Sequence, residues 1–290
     1  MTFNDDADIK GGRVSKRGRN TAIGVGGGGV GLLAIFLISQ LLGVDLTGIL
    51  GGTSGAGSGA TDTPLAQCTT GAQANSDIDC RMQAAATSLD RYWSGAVDGY
   101  TQPQLVIFDQ STDTGCGGAT TAVGPFYCPN DQTVYIDTAF YGELQSQFGA
   151  TGGRLAQLYV IAHEWGHHIQ NITGIMGDNL NLQQTGPTSD SVRLELQADC
   201  FAGSWVRGAQ DTKDENGVPF LQPVTKSEIA DALNAAAAVG DDHIQQSTQG
   251  QVDPESFTHG TSAQREKWFS AGLDGGPQSC DTFAASASTL

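Results

Sequence analysis

The sequence predicts an α+β fold, mostly helical with a small N-terminal β-sheet, preceded by one transmembrane helix. Three observations predict it. Strand-like runs crowd the first part of the chain after residue 63, helical spacings fill the rest, and a long uncharged apolar run precedes both. Strands and helices segregated along a chain suggest α+β rather than alternating β-α units. The 290 residues suffice for one large domain or two small ones. The boundaries read as a cytoplasmic basic tail over 1–21, a membrane anchor over 22–44, a Gly/Ser/Thr-rich linker over 45–63 and one domain over 64–290.

The anchor comes first. Its apolar part, "AIGVGGGGVGLLAIFLISQLL" over 22–42, holds no charge. As a helix at roughly 1.5 Å per residue it would span about 31 Å, against a bilayer core of about 30 Å. Glycine is tolerated in membrane spans. Lys10, Arg13, Lys16, Arg17 and Arg19 put five of the 14 basic residues ahead of it. That flank predicts a single-pass protein of the cell membrane, with a cytoplasmic N-terminus and an extracytoplasmic domain. The nearest small-x-small site, Ser58 to Ala60, lies far downstream, so the anchor reads as uncleaved. The linker, including "GGTSGAGSGATDT", cannot build a core.

All six cysteines lie beyond the linker. An even number in an exported domain predicts disulfides, and the expected pairing is sequential: Cys68–Cys80, Cys116–Cys128 and Cys200–Cys280. The net charge of −17 argues against a nucleic-acid partner, which needs a cationic face.

Within the domain, 77–97 has helical spacing, with Met82, Ala85, Leu89 and Trp93 on one side. A short apolar strand follows at 104–109, then a strand, a Pro-Asn-Asp turn and a second strand over 126–137. Helical patterns cover 138–148, 154–172, 189–207, 225–239 and 262–273, with Asn171 and Gly174 closing the second.

The second of these helices carries the chemistry. "HEWGH", His163 to His167, fits H-E-x-x-H and, with His168, holds three of the chain's five histidines. Positions i and i+4 lie about 40° apart around a helix, so His163 and His167 aim two imidazoles at one point, the bite a zinc ion needs. Glu164 can reach the water side of such a metal and act as general base. His168 lies about 100° from His167 and reads as a packing or polar-network residue. The compact signature that continues with Gly and His is excluded by Gln170 and Thr173.

A catalytic zinc usually takes a third protein ligand. In "RLELQADCFAG", Glu195 and Asp199 are spaced i, i+4 and share a helix face. One can bind metal while the other accepts the ring N–H of a ligating histidine. Glu195 is assigned as ligand and Asp199 as its support, with the reverse order still open. His259 precedes a helical pattern that Ser262 could cap, and it or Arg265 could hold a developing oxyanion. His243, between acids in "GDDHIQQ", reads as exposed.

The chain resembles the family of membrane-anchored bacterial neutral zinc metallopeptidases. The stretches that carry the resemblance are "MTFNDDADI", the glycine-rich span, "GPFYCPNDQTVYID", "AHEWGHHIQ", "SVRLELQADCFAG", "VGDDHIQ" and "FTHGTSAQREKWFSAG". The resemblance implies a zincin-like domain over 64–290, metal ligation by His163 and His167, and Glu164 as base. Glu195 as third ligand follows a wider likeness to gluzincins, in which an E-x-x-x-D helix follows the H-E-x-x-H helix. The expected activity is zinc-dependent cleavage of peptide or protein substrates. A strand around Val134–Ile136 is expected to border the cleft and pair with the substrate backbone. Two other readings stay open: a surface-anchored assembly protein with a structural zinc, which would have no need of Glu164, and a zinc amidase acting on cell-wall peptides by the same chemistry.

Overall fold

The structure, a computed structural model, describes residues 3–18, 62–177 and 179–290. The anchor predicted over 22–44, and the linker up to residue 61, lie outside the described residues. Among the described residues no helix is long and apolar enough to cross a membrane.

Seven strands and eight helices are found among the described residues, and the α+β class holds. The strands are β1 (Val14–Arg17), β2 (Asp62–Pro64), β3 (Gln104–Phe108), β4 (Ser111–Thr114), β5 (Gly117–Thr120), β6 (Phe126–Cys128) and β7 (Thr133–Ile136). The helices are α1 (Gly71–Ser76), α2 (Ile78–Ala96), α3 (Phe140–Ser146), α4 (Arg154–Ile172), α5 (Asp190–Ala209), α6 (Lys226–Ala238), α7 (Asp241–Gln249) and α8 (Ser262–Gly275). Five strands form a mixed sheet in the order β2-β1-β3-β7-β6, and β4 and β5 form a separate hairpin. β1, β3 and β7 run parallel, while β2 and β6 are the antiparallel edges. The run Leu105 to Phe108 is buried throughout, as a strand bonded on both sides and covered on both faces requires.

The N-terminal segment departs most from expectation. Residues 3–18 form no separate tail but part of the domain. Phe3, Ala7, Ile9 and Val14 are buried in the main core. Ser15 and Lys16 of β1 pair with Pro64 and Thr63 on one side and with Val106 and Ile107 on the other. Arg17 forks onto Asp62 with bonds of 2.6 and 2.8 Å, closing the β1–β2 ladder at the point where the chain leaves and re-enters the sheet. The backbone of Asn4 donates to Phe220, and that of Asp8 to the Asp214 carboxylate. The expected single pass would put residues 3–18 and the domain on opposite faces of a bilayer. That arrangement is incompatible with β1 lying between β2 and β3.

Six of the eight helices among the described residues follow their sequence signals closely, while α1 and α7 were not expected. α4 begins at Arg154 after two glycines and ends at Ile172, with Gly174 at φ +77° just beyond. Ser189 caps α5, with Asp190 in its first turn and Arg207 in its last, each sign matching the helix dipole. α8 is capped by Thr261 rather than Ser262, in a reciprocal box with Gln264. Ser262 instead bonds Ala237 and Asp242, tying α8 to α6 and α7.

The three disulfides pair sequentially as expected, with Cα separations of 5.0, 5.8 and 5.4 Å. Cys200–Cys280 closes the longest loop, 80 residues, and locks the C-terminal segment onto α5. On a chain-entropy account it contributes about 4.5 kcal/mol, against about 3 for each of the others.

Close helix packing sets the position of the site. Gly166 lies where α4 crosses α5, and a Cβ there would stand 3.0 Å from the Ala198 Cα. The absence of a side chain lets the two helices approach, which brings Glu195 and Asp199 under the histidines. Gly272 of α8 does the same against the Cys200 carbonyl of α5.

Candidate metal centre

α4 and α5 bring His163, His167 and Glu195 together. One ligand atom from each lies within 4.8 Å of the others. The His163 Nε2 is 3.1 Å from Glu195 Oε2, and the His167 Nε2 is 3.5 Å from Oε1. A tetrahedral zinc with ligands at about 2.0–2.2 Å separates neighbouring donors by about 3.3–3.6 Å, so the set fits that ion. The other apparent cluster, around Cys68 and Cys80, is a disulfide with Asp77 beside it.

The tautomers fit as well. The His163 Nδ1 lies 2.8 Å from Asp199 Oδ1, which accepts, so Nδ1 carries the proton. The His167 Nδ1 lies 2.9 Å from Gln170 Oε1, whose own amide nitrogen donates to Leu194 and Gln197. Gln170 can therefore only accept from His167. On both rings Nε2 is thus the nitrogen that faces Glu195, where it can bind a metal once it carries no proton.

Asp199 is fully buried and saturated. Besides His163 it accepts from Tyr159 Oη at 2.5 Å, from Arg265 Nε at 2.8 Å and from Arg265 Nη2 at 3.0 Å. Burial alone would raise its pKa, but Arg265 and His163 hold it below the usual carboxylate range. Of the two carboxylates spaced i, i+4, only Glu195 keeps its oxygens on both histidine Nε2 atoms. Arg265, the other candidate for an oxyanion, is 3% exposed and also donates to the Tyr159 hydroxyl and the Val239 carbonyl.

Glu164 is buried beside this set. Burial pushes its carboxyl up to about 7, against the opposing charge of His163 and the backbone N–H of Tyr127. That is the range a general base and acid needs near neutral pH. Burial acts against a charged His163, yet Asp199 and Glu195 outweigh it and lift the ring to about 10. Glu195 is held well below the ordinary value, because the neighbouring histidines overcome the cost of burying it.

His259 also reaches the site. Burial disfavours its charged form, but Glu195 and Asp241 raise its pKa. The Asp241 carboxylate accepts the backbone N–H groups of Thr258, His259 and Gly260 and lies 3.3 Å from the His259 Nδ1. It thus shapes the loop that presents the ring. His243 is exposed, as its acidic neighbours predict, and its ring lies 3.1 Å from the Phe148 carbonyl. His168 is buried in a polar network away from the ligand set.

The strand at Val134–Ile136 is not the free edge expected of it. It is β7, bonded to β3 on one side and β6 on the other. The edge strand packed on α4 is β6.

Tyr159, Gln170, Asp241 and Tyr127 were not singled out from the sequence. Tyr159 precedes His163 by four residues and Gln170 follows His167 by three, so helical spacing could have found both. Asp241 and Tyr127 arrive from other elements and leave no local signal.

The chain is similar to known proteins. The chain is 42% identical to "Uncharacterized protein YpfJ" of Escherichia coli K12 over 274 residues, covering 90% of this chain and 88% of that one. It is 51% identical to "Uncharacterized protein Rv2575" of Mycobacterium tuberculosis H37Rv over 223 residues, 76% of each. No solved structure matches. Residues 4–283, nearly the whole chain, match one family model, and the chain belongs to the family described as "Putative neutral zinc metallopeptidase".

Proposed function

We propose that the protein is a zinc-dependent endopeptidase with a zincin-like domain, in which His163, His167 and Glu195 hold the ion and Asp199 supports His163. One observation carries the reading. Two Nε2 atoms converge on one carboxylate, while Glu164, next in sequence to a ligand, stays outside the set and is tuned to about 7. When bound, zinc lowers the pKa of a coordinated water and polarises a carbonyl. Glu164 takes the proton of the attacking water and passes it to the leaving amine. His259, whose pKa Glu195 and Asp241 raise against the cost of burial, donates to the carbonyl oxygen as charge develops there. The outer edge of β6 offers backbone groups to an extended peptide, the mode of β-strand addition.

Three disulfides support an oxidising compartment outside the cytoplasm, and the apolar run at 22–42 supports attachment to a membrane. The deciding experiment replaces Glu164 with Gln and measures bound zinc and cleavage of a casein-type substrate. The expected result is full zinc content with kcat lowered at least a thousandfold. Retained cleavage would remove Glu164 from the mechanism. Inhibition of the wild type by a hydroxamate checks that the metal keeps an open position.

A further inference from the structure

Around α4 from the ligand face lies a polar cluster that none of these steps uses. The His168 Nε2 is 2.6 Å from the Thr101 carbonyl. A carbonyl only accepts, so Nε2 carries the proton and Nδ1 is left as acceptor. That Nδ1 is 3.0 Å from the Tyr127 hydroxyl, which therefore donates to it. The Asn171 side-chain amide completes the chain by donating to the same hydroxyl at 2.9 Å. Every polar atom of the His168 ring is thus satisfied, and the ring is fully buried, with Tyr127 and Tyr100 set edge-on against it at 5.4 and 6.1 Å.

These bonds do not stabilise α4 internally. They run outward, from two residues of α4 to the middle residue of β6 and to the loop ahead of β3. Tyr127 is also the residue whose backbone N–H faces the Glu164 carboxylate. Its side chain is held from one side of the helix and its backbone meets the base on another. The next loop residue ties the same region to the N-terminal segment, because the Gln102 side chain donates to the Gly11 carbonyl and its backbone carbonyl accepts from Arg13.

We propose that His168 and Asn171 are positioning residues. Through the Tyr127 hydroxyl they fix the register and distance of the edge strand β6 on α4, so that its free edge lies beside Glu164. The proposal rests on the peptidase reading for its consequence in turnover, though not for the placement itself. A displacement of about 1 Å at such a strand can cost roughly a hundredfold in rate.

The test uses the full chain. Tyr127→Phe keeps the ring and the backbone N–H and deletes only the hydroxyl. His168→Phe removes donor and acceptor, His168→Gln keeps one of each, and Asn171→Ala is a milder change should the others fold poorly. The expected results are unchanged zinc content, amide exchange at Tyr127 at least tenfold faster in Tyr127→Phe, and a kcat lowered at least tenfold with KM within threefold. His168→Gln should recover much of what His168→Phe loses. Amide exchange and kcat within twofold of wild type would overturn the proposal. So would a faster amide with unchanged kcat, or a fall in kcat that only tracks lost zinc. If the wild type cleaves no peptide, the peptidase reading fails, and exchange at Tyr127 still decides whether these residues place β6.

Discussion

Helix α4 and the segment 3–18 are similar in length and opposite in how they are encoded. α4 is written in its own stretch: apolar residues run almost unbroken through its first half, formal charge is confined to Arg154 and Glu164, and glycines bound it. Its observed limits match those expected. The N-terminal segment carries four bases and a few scattered apolar residues, and by itself reads as a tail. It becomes a strand only because β2 and β3, from far along the chain, bond it on both sides. Periodicity reports structure that a segment builds from itself. It is silent about structure that a segment is given by distant partners.

The strongest way to break this comparison is to delete residues 3–18. Burying Phe3, Ile9 and Val14 is worth roughly 1.5–3 kcal/mol each, which together rivals a typical domain stability of about 5–15 kcal/mol. The truncated chain is expected to be insoluble or molten, as read by circular dichroism and limited proteolysis. A cooperative melt near that of the wild type would return the segment to the status of a tail.

A smaller effect is expected inside the locally encoded region. Asp199→Asn removes the carboxylate that holds Arg265 and His163 and leaves a buried guanidinium unpaired. Loss of one partner of such a pair costs about 3–5 kcal/mol. Calorimetry with and without chelator should show a lower Tm in both states and weaker zinc binding. Lower zinc affinity with an unchanged Tm would mean that Asp199 serves only the metal.

The mildest prediction concerns protons. His163 stands at about 10 in place of 6.5, so its contribution to the chelated protein is complete below pH 6.5 and is lost as pH rises through about 10. The chelated protein should therefore lose stability between those values. Zinc binding at pH 8 should expel about one proton, measurable from the dependence of binding enthalpy on buffer ionisation. Release of none would place His163 neutral before the metal arrives.

Much of the site was legible for the reason α4 was. His163, Glu164 and His167, and then Glu195 and Asp199, are pairs or triplets set by helical spacing. What spacing left open was which carboxylate does what. That depended on Arg265 and Tyr159 saturating Asp199, and Arg265 lies 66 residues further along the chain. The edge strand was misplaced by one position, because a hairpin sequence does not say which of its strands meets a third. The N-cap of α8 was misread by one residue for a related reason: Thr261 and Ser262 are both capable, and contacts with α6 and α7 claim the second.

The place of β1 in the sheet also sets an order of events. The chain is synthesised from its N-terminus at about 5–20 residues per second, so residues 14–17 wait roughly 5–20 seconds for 105–108 to emerge. For that interval β1 has at most β2 to pair with, and its other neighbour in the sheet does not yet exist. The sheet is therefore completed late: the strand made first can be placed only when β3 arrives, and β1 must stay unpaired on the same side as the domain until then.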